Sequence, residues 1–132
     1  MTRGPHVSTN NWSEVRRDES EFLNHHPQVI IVGAGHGGLM LAARLKRLGV
    51  RTLVIDWQKR IGDSWRLRYK TLVLHDHIWA NCFPYLKYPD NWPVFIPKDK
   101  FANWLESYAS IMELNIVRAT ASHKRHQTGM LA

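Results

Sequence analysis

The stretch Gln28-Val-Ile-Ile-Val-Gly-Ala-Gly-His-Gly-Gly38 constrains this chain more than any other. Val29 to Val32 is an unbroken β-branched run, the pattern of a strand buried on both faces of a parallel sheet. It leads directly into Gly33-Ala-Gly35-His36-Gly-Gly38, which satisfies G-x-G-x-x-G, and then into a helical pattern from Leu39 to Leu48. Gly33 permits the tight strand-to-helix turn, Gly35 lets the backbone approach a pyrophosphate, and Gly38 lets the helix lie close against the strand. The N–H groups and the positive end of that helix would then face the phosphates. A glycine pattern alone is weak, and its context decides. Gly49 stops the helix, Arg51 to Ile55 reads as a second buried strand, and Asp56 stands at its tip, 23 positions after Gly33. An acid there accepts hydrogen bonds from both ribose hydroxyls of an adenosine and repels a 2′-phosphate. The residues therefore predict a site for NAD or FAD rather than NADP.

A length of 132 residues allows one modest core and at most one domain. The formal charge of +7 raises nucleic acid as a partner, but the basic residues are scattered, apart from Arg44-Leu-Lys-Arg47 and His123-Lys-Arg-His126. Without a basic stripe they read as solvated surface, so no nucleic-acid partner is expected. The single cysteine, Cys82, excludes an internal disulfide, fits a reducing compartment, and has no identifiable base partner, so it reads as an inert packed thiol. No apolar run approaches the ~20 residues of a membrane span, and the first residues lack a signal-peptide core. The default expectation is a cytoplasmic chain.

Three segments follow: a flexible or helical extension over residues 1–27, a dinucleotide-binding domain over 28–117, and an unstructured basic tail over 118–132. Residues 1–10 read as loose. A short helix from Asn11 would place Trp12, Val15, Phe22 and Leu23 on one packed side. Thr71 to Leu74 reads as a short strand opening on His75-Asp-His77. Residues 78–97 are rich in aromatics and prolines with little periodicity, a long excursion of the kind that is functional or packed against something large. Lys98 to Met112 is amphipathic, with Phe101, Leu105, Tyr108 and Met112 on its apolar face and Trp104 beside them. Leu114 to Val117 reads as a third buried strand. The order strand, helix, strand, excursion, helix, strand predicts an α/β, partial doubly wound Rossmann-like fold with a three-stranded parallel core. The pairs His25-His26 and His75-x-His77 lack the third ligand that a metal site needs, so no metal is expected. Trp65 and Trp79 read equally well as core aromatics or as cofactor contacts.

Over residues 12–117 the chain resembles the FAD-binding N-terminal portion of the flavin-containing monooxygenases, particularly the fungal and plant-type members. The matching segments are 29–50 with the fingerprint, Asp56 followed by Ile61-Gly-Asp-Ser-Trp-Arg66, Thr71-Leu-Val-Leu-His75, and Asn91 to Ala109 with Trp-Pro-Val-Phe-Ile-Pro-Lys-Asp at its start. The first segment is generic to flavoproteins with two dinucleotide sites, and the four together are specific. The resemblance implies FAD in the first site, with NADPH as reductant, dioxygen as co-substrate and a small organic molecule as substrate. By position, Gly33, Gly35, His36 and Gly38 would surround the pyrophosphate and Asp56 would hold the ribose. Ser64 and Trp65 would lie along the cofactor with Arg66 nearby, and Leu74 and His75 would approach the flavin end.

The chain departs from that family's pattern in lacking the second G-x-G-x-x-G, which receives NADPH, and the Phe-x-Gly-x-x-x-His fingerprint. The expectation is a fragment, inactive by itself and marginally stable, with the aromatic excursion orphaned. Two other readings stay open, an NAD-binding dehydrogenase-like module and a non-catalytic remnant or interaction protein. The residues assign no catalytic base, nucleophile or substrate pocket.

Overall fold

A computed structural model of the chain describes residues 11–21 and 26–118. Helix α1 spans Trp12–Glu21, β1 Val29–Val32, α2 His36–Arg47, β2 Thr52–Asp56, α3 the single turn Asp63–Arg66, α4 Lys98–Ile111 and β3 Ile116–Arg118, with a 3₁₀ turn at Ile78–Asn81. The strands form one parallel sheet with β2 in the centre. Val29 lies opposite Thr52 and Val32 opposite Ile55, while Val54 faces Ile116 and Ile55 faces Val117. The architecture is the α/β, partial doubly wound Rossmann-like fold with a three-stranded parallel core.

The sheet is covered on one side, which corrects the expectation of strands buried on both faces. Ile31 and Val54 are buried, whereas Ile30, Val32, Ile55 and Val117, on the opposite face by strand alternation, are 57%, 83%, 37% and 53% exposed. The reason is topological. Strands that advance in one direction with right-handed crossovers carry their helices to the same face. Helix α2 accordingly packs on β1 and β2 and also touches α4. The winding does not reverse among the described residues, so no helix reaches the other face.

Helix α4 forms as its spacing predicts, with Phe101, Trp104, Leu105, Tyr108 and Ala109 buried and Met112 packed beside them. Phe101 and Leu105 have no exposed surface. Burial of each stabilises the fold by roughly 1.5–3 kcal/mol. The aromatic excursion is orphaned only in part, with Trp79, Tyr85 and Phe95 64%, 51% and 44% exposed. Phe83 and Tyr88 enter the same core, with Phe83 4.6 Å from Tyr108 and Tyr88 4.6 Å from Trp104 between ring centroids. Burial pushes the Tyr108 hydroxyl up to about 12, and that hydroxyl donates to the Pro84 carbonyl at 2.9 Å.

Other elements differ from expectation in detail. The 71–74 segment makes only an isolated bridge, Val73 to Pro97, because its extended neighbour ends at Pro97, where α4 begins. Residues 63–66 close a helical turn instead of a loop. Gly62 enters it at φ +88°, and its backbone lies so near α4 that a Cβ would stand 2.7 Å from the Ala102 carbonyl. Trp12 and Val15 of α1 stay 66% and 37% exposed. That helix is held by polar contacts instead, Trp12 Nε1–H to Glu113 at 2.9 Å and Arg16 to Asn115 at 3.0 Å. Cys82 is exposed rather than packed. Expectations for residues 1–10, Phe22, Leu23, His25 and 119–132 lie outside the described residues.

Candidate dinucleotide site

The fingerprint turn is built by three independent constraints. Gly33 holds φ at +106°, a left-handed conformation that side chains disfavour. Its N–H donates to the Ile55 carbonyl at 2.8 Å, clamping the turn to β2. A Cβ on Gly38 would lie 2.0 Å from the Gly33 carbonyl oxygen, so only glycine lets α2 approach β1 this closely. At Gly35 and Gly37, by contrast, an added Cβ meets nothing within 4 Å. The bare backbone there borders open space at the start of α2.

That opening has the polarity for an anion. Gly35 caps α2 without a side-chain hydrogen bond, and the first turn carries no acidic residue. Arg44, Lys46 and Arg47 sit in the last turn, where they complement the helix dipole. The first N–H groups of the helix thus remain donors for a phosphate. Asp56 closes the other side. Its Oδ2 accepts from the Ala34 N–H at 2.6 Å and its Oδ1 from the Gln58 N–H at 2.8 Å. A carboxylate oxygen has room for two hydrogen bonds, so each retains acceptor capacity. The cradle therefore fits a diphosphate flanked by a ribose.

His36 opens α2 and faces inward. Its ring stacks on Phe83 at 4.5 Å and meets the Phe101 edge at 5.5 Å. Burial holds its imidazole below the ordinary value of 6.5, partly offset by the polarity of the nearby Asn81 backbone. Its Nε2 is buried without a hydrogen-bond partner, as is Nε1 of Trp104.

The remaining sequence-predicted residues divide by environment. Ser64 is exposed, and its carbonyl accepts from Arg68 Nε at 3.0 Å. Trp65 is half-buried, with its edge against Phe101 at 5.1 Å and Arg68 over its face at 4.6 Å. Arg66 is a structural hub, donating to the Ile61 carbonyl at 2.6 Å, to Asp63 at 3.2 Å and to Asn103 at 3.0 Å, and pairing with Glu106 at 3.3 Å. Leu74 belongs to the core. His75 is 95% exposed beside Asp76, and His77 stacks on Trp79 at 4.4 Å. Among the described residues no three His, Cys, Asp or Glu side chains converge. None of their helices is long and apolar enough to cross a membrane.

Sequence reasoning missed Lys98. It is 5% exposed, and its ammonium donates to the Arg66 carbonyl at 2.8 Å and to Asp99 at 2.7 Å, tying the end of α3 to the start of α4. The only available signal was a lysine immediately before an apolar helix face, which also fits a solvated cation.

Comparison with known proteins agrees with this geometry. Residues 31–95 match the NAD(P)-binding Rossmann-like domain family. An uncharacterized CzcO-like oxidoreductase of Geobacillus kaustophilus is 34% identical over 97 residues, covering 71% of this chain and 27% of the relative. The probable indole-3-pyruvate monooxygenase YUCCA3 of Arabidopsis thaliana is 38% identical over 87 residues, covering 65% of this chain and 20% of the relative. This chain thus spans between a fifth and about a quarter of the length of those curated relatives. Among solved structures, a flavin-containing monooxygenase from Stenotrophomonas maltophilia superposes with a TM-score of 0.61 at 20% identity, over 69% of this chain and 28% of that one.

Proposed function

We propose that this chain, which matches the NAD(P)-binding Rossmann-like domain family over residues 31–95 and is similar to a probable indole-3-pyruvate monooxygenase, is the FAD-binding portion of a flavin-dependent, NADPH-using monooxygenase. The observation that carries the proposal is the fingerprint turn itself. Bare Gly35 backbone and the uncapped start of α2 lie on one side, and the Asp56 carboxylate is bonded to Ala34 on the other.

When bound, FAD would supply electron transfer from NADPH and activation of dioxygen toward a small organic substrate. The residues of this chain contribute binding and orientation. The N–H groups of the first turn of α2 would receive the diphosphate, and Asp56 would receive the adenosine ribose and disfavour a 2′-phosphate. Asp56 and the turn suit NAD as well. FAD is favoured by the resemblance of the Gly62-Asp-Ser-Trp-Arg66 segment to the flavin-containing monooxygenases and by the monooxygenase name of a relative.

The test is a visible spectrum of the purified chain with calorimetric titration of FAD, NAD and NADP. FAD should bind, NADP should bind least, and Gly35→Val should weaken FAD. Binding of NAD but not FAD would reassign the site to a dehydrogenase-like module. No heat with either would leave a protein that binds no dinucleotide.

A further inference from the structure

The aromatic excursion forms a half-open cavity of about 490 Å³, within the usual size of small-molecule sites. Its walls include Trp79, Phe83, Leu86, Tyr88 and Trp92, with Cys82 among the lining residues. None of the fingerprint residues lines it, so it is distinct from the dinucleotide site.

The lining specifies the ligand chemistry. Its two charged residues, Lys87 and Asp90, pair with each other at 2.6 Å and are 82% and 86% exposed, so they leave no net charge for an ion. The Cys82 thiol already donates to the Trp79 carbonyl at 2.8 Å, and the Tyr88 hydroxyl to the Asn81 carbonyl at 3.0 Å. What remains is aromatic and aliphatic surface together with the Tyr85 hydroxyl, an uncharged donor and acceptor, which favours a flat, uncharged ring.

One wall residue also reaches the fingerprint turn. Phe83 lines the cavity, and its ring stacks on His36, the first residue of α2, at 4.5 Å. This stack joins the cavity wall to the dinucleotide turn. We propose that this cavity binds a flat, uncharged one- or two-ring compound, and that the Phe83–His36 stack transmits its occupancy to the fingerprint turn. The proposal does not depend on which dinucleotide the turn holds.

The probe is indole, with cyclohexylmethanol as the non-aromatic control, titrated into the ¹⁵N-labelled full chain. Saturable shifts of tryptophan side-chain N–H signals should appear in the ~0.1–10 mM range expected of so small a ligand. The His36 imidazole signals should move with the same midpoint. Leu86→Trp, which places a ring in the cavity, should weaken indole by about tenfold or more. Should that variant fail to fold, alkylation of Cys82 in the native protein by N-ethylmaleimide should do the same, and indole should slow that alkylation. Cysteine 82 is the only thiol of the chain, so the label is unambiguous.

Absence of saturable indole shifts, equal binding of cyclohexylmethanol, or indole affinity indifferent to the Cys82 label would each overturn the site. Saturation without movement of the His36 signals would overturn the coupling.

Discussion

The carboxylate of Asp56 accepts a 2.6 Å hydrogen bond from the backbone N–H of Ala34, the residue between the first two glycines of the fingerprint. The acid at the tip of β2 therefore shapes the turn before any ligand arrives. Asp56→Ala should destabilise the dinucleotide-free chain by roughly 1–3 kcal/mol, because the N–H of buried Ala34 loses a charged partner. Asp56→Asn, which keeps an acceptor oxygen, should cost less. Chemical denaturation of the free chain checks both. An unchanged Asp56→Ala midpoint would mean that the carboxylate serves only the ligand.

The glycines of the turn separate by the space around them. Gly38→Ala should destabilise by roughly 1–3 kcal/mol through the clash with the Gly33 carbonyl. Gly35→Ala should stay within about 1 kcal/mol of the parent, since its Cβ meets nothing and φ there is −86°. If the open space is a phosphate cradle, Gly35→Ala should nonetheless weaken dinucleotide binding. Paired melting and titration measurements on the two variants distinguish architecture from ligand contact.

Stability should depend on pH at both ends. The His36 imidazole is held below 6.5 by burial, so the unfolded chain binds the proton first on acidification. Its contribution is fully present above pH 6.5 and is lost as pH falls from there through the lowered folded value. Tyr108 shifts the opposite way, from 10 to about 12, so its neutral hydroxyl favours the fold until pH rises past 10. Stability should then fall between pH 10 and about 12. Urea midpoints from pH 5 to 8 for the parent and His36→Gln should show the acid limb flattened in the variant.

The bare sheet face sets solution behaviour. Ile30, Val32, Ile55 and Val117 form an exposed aliphatic surface, and such surfaces associate. Val32→Lys, at an 83% exposed position, should change stability by no more than about 0.5 kcal/mol while reducing concentration-dependent self-association. Light scattering over a dilution series measures this, and identical association by parent and variant would contradict it.

Much of the site was legible because it is local. The turn glycines, the following helix and Asp56 lie within 24 residues, and their spacing carries the geometry. The amphipathic pattern of α4 was equally direct. Burial of the strands was not. A run such as Val29 to Val32 has no alternation, so it cannot report which face is covered, and winding direction decided that. Arg66 reads in sequence as part of a cofactor loop, yet its side chain is engaged by Glu106, 40 residues away on α4. Phe83 and Tyr88 lacked periodicity because an irregular segment delivers them to the core singly.

Lys98 is well placed to mark the integrity of this scaffold. Its ammonium is enclosed between the Arg66 carbonyl and Asp99, whereas Lys87 stands 82% exposed. An acylating reagent should modify Lys87 rapidly and leave Lys98 nearly untouched while α3 remains docked. The ratio of the two products would then serve as a chemical gauge of how often that junction opens.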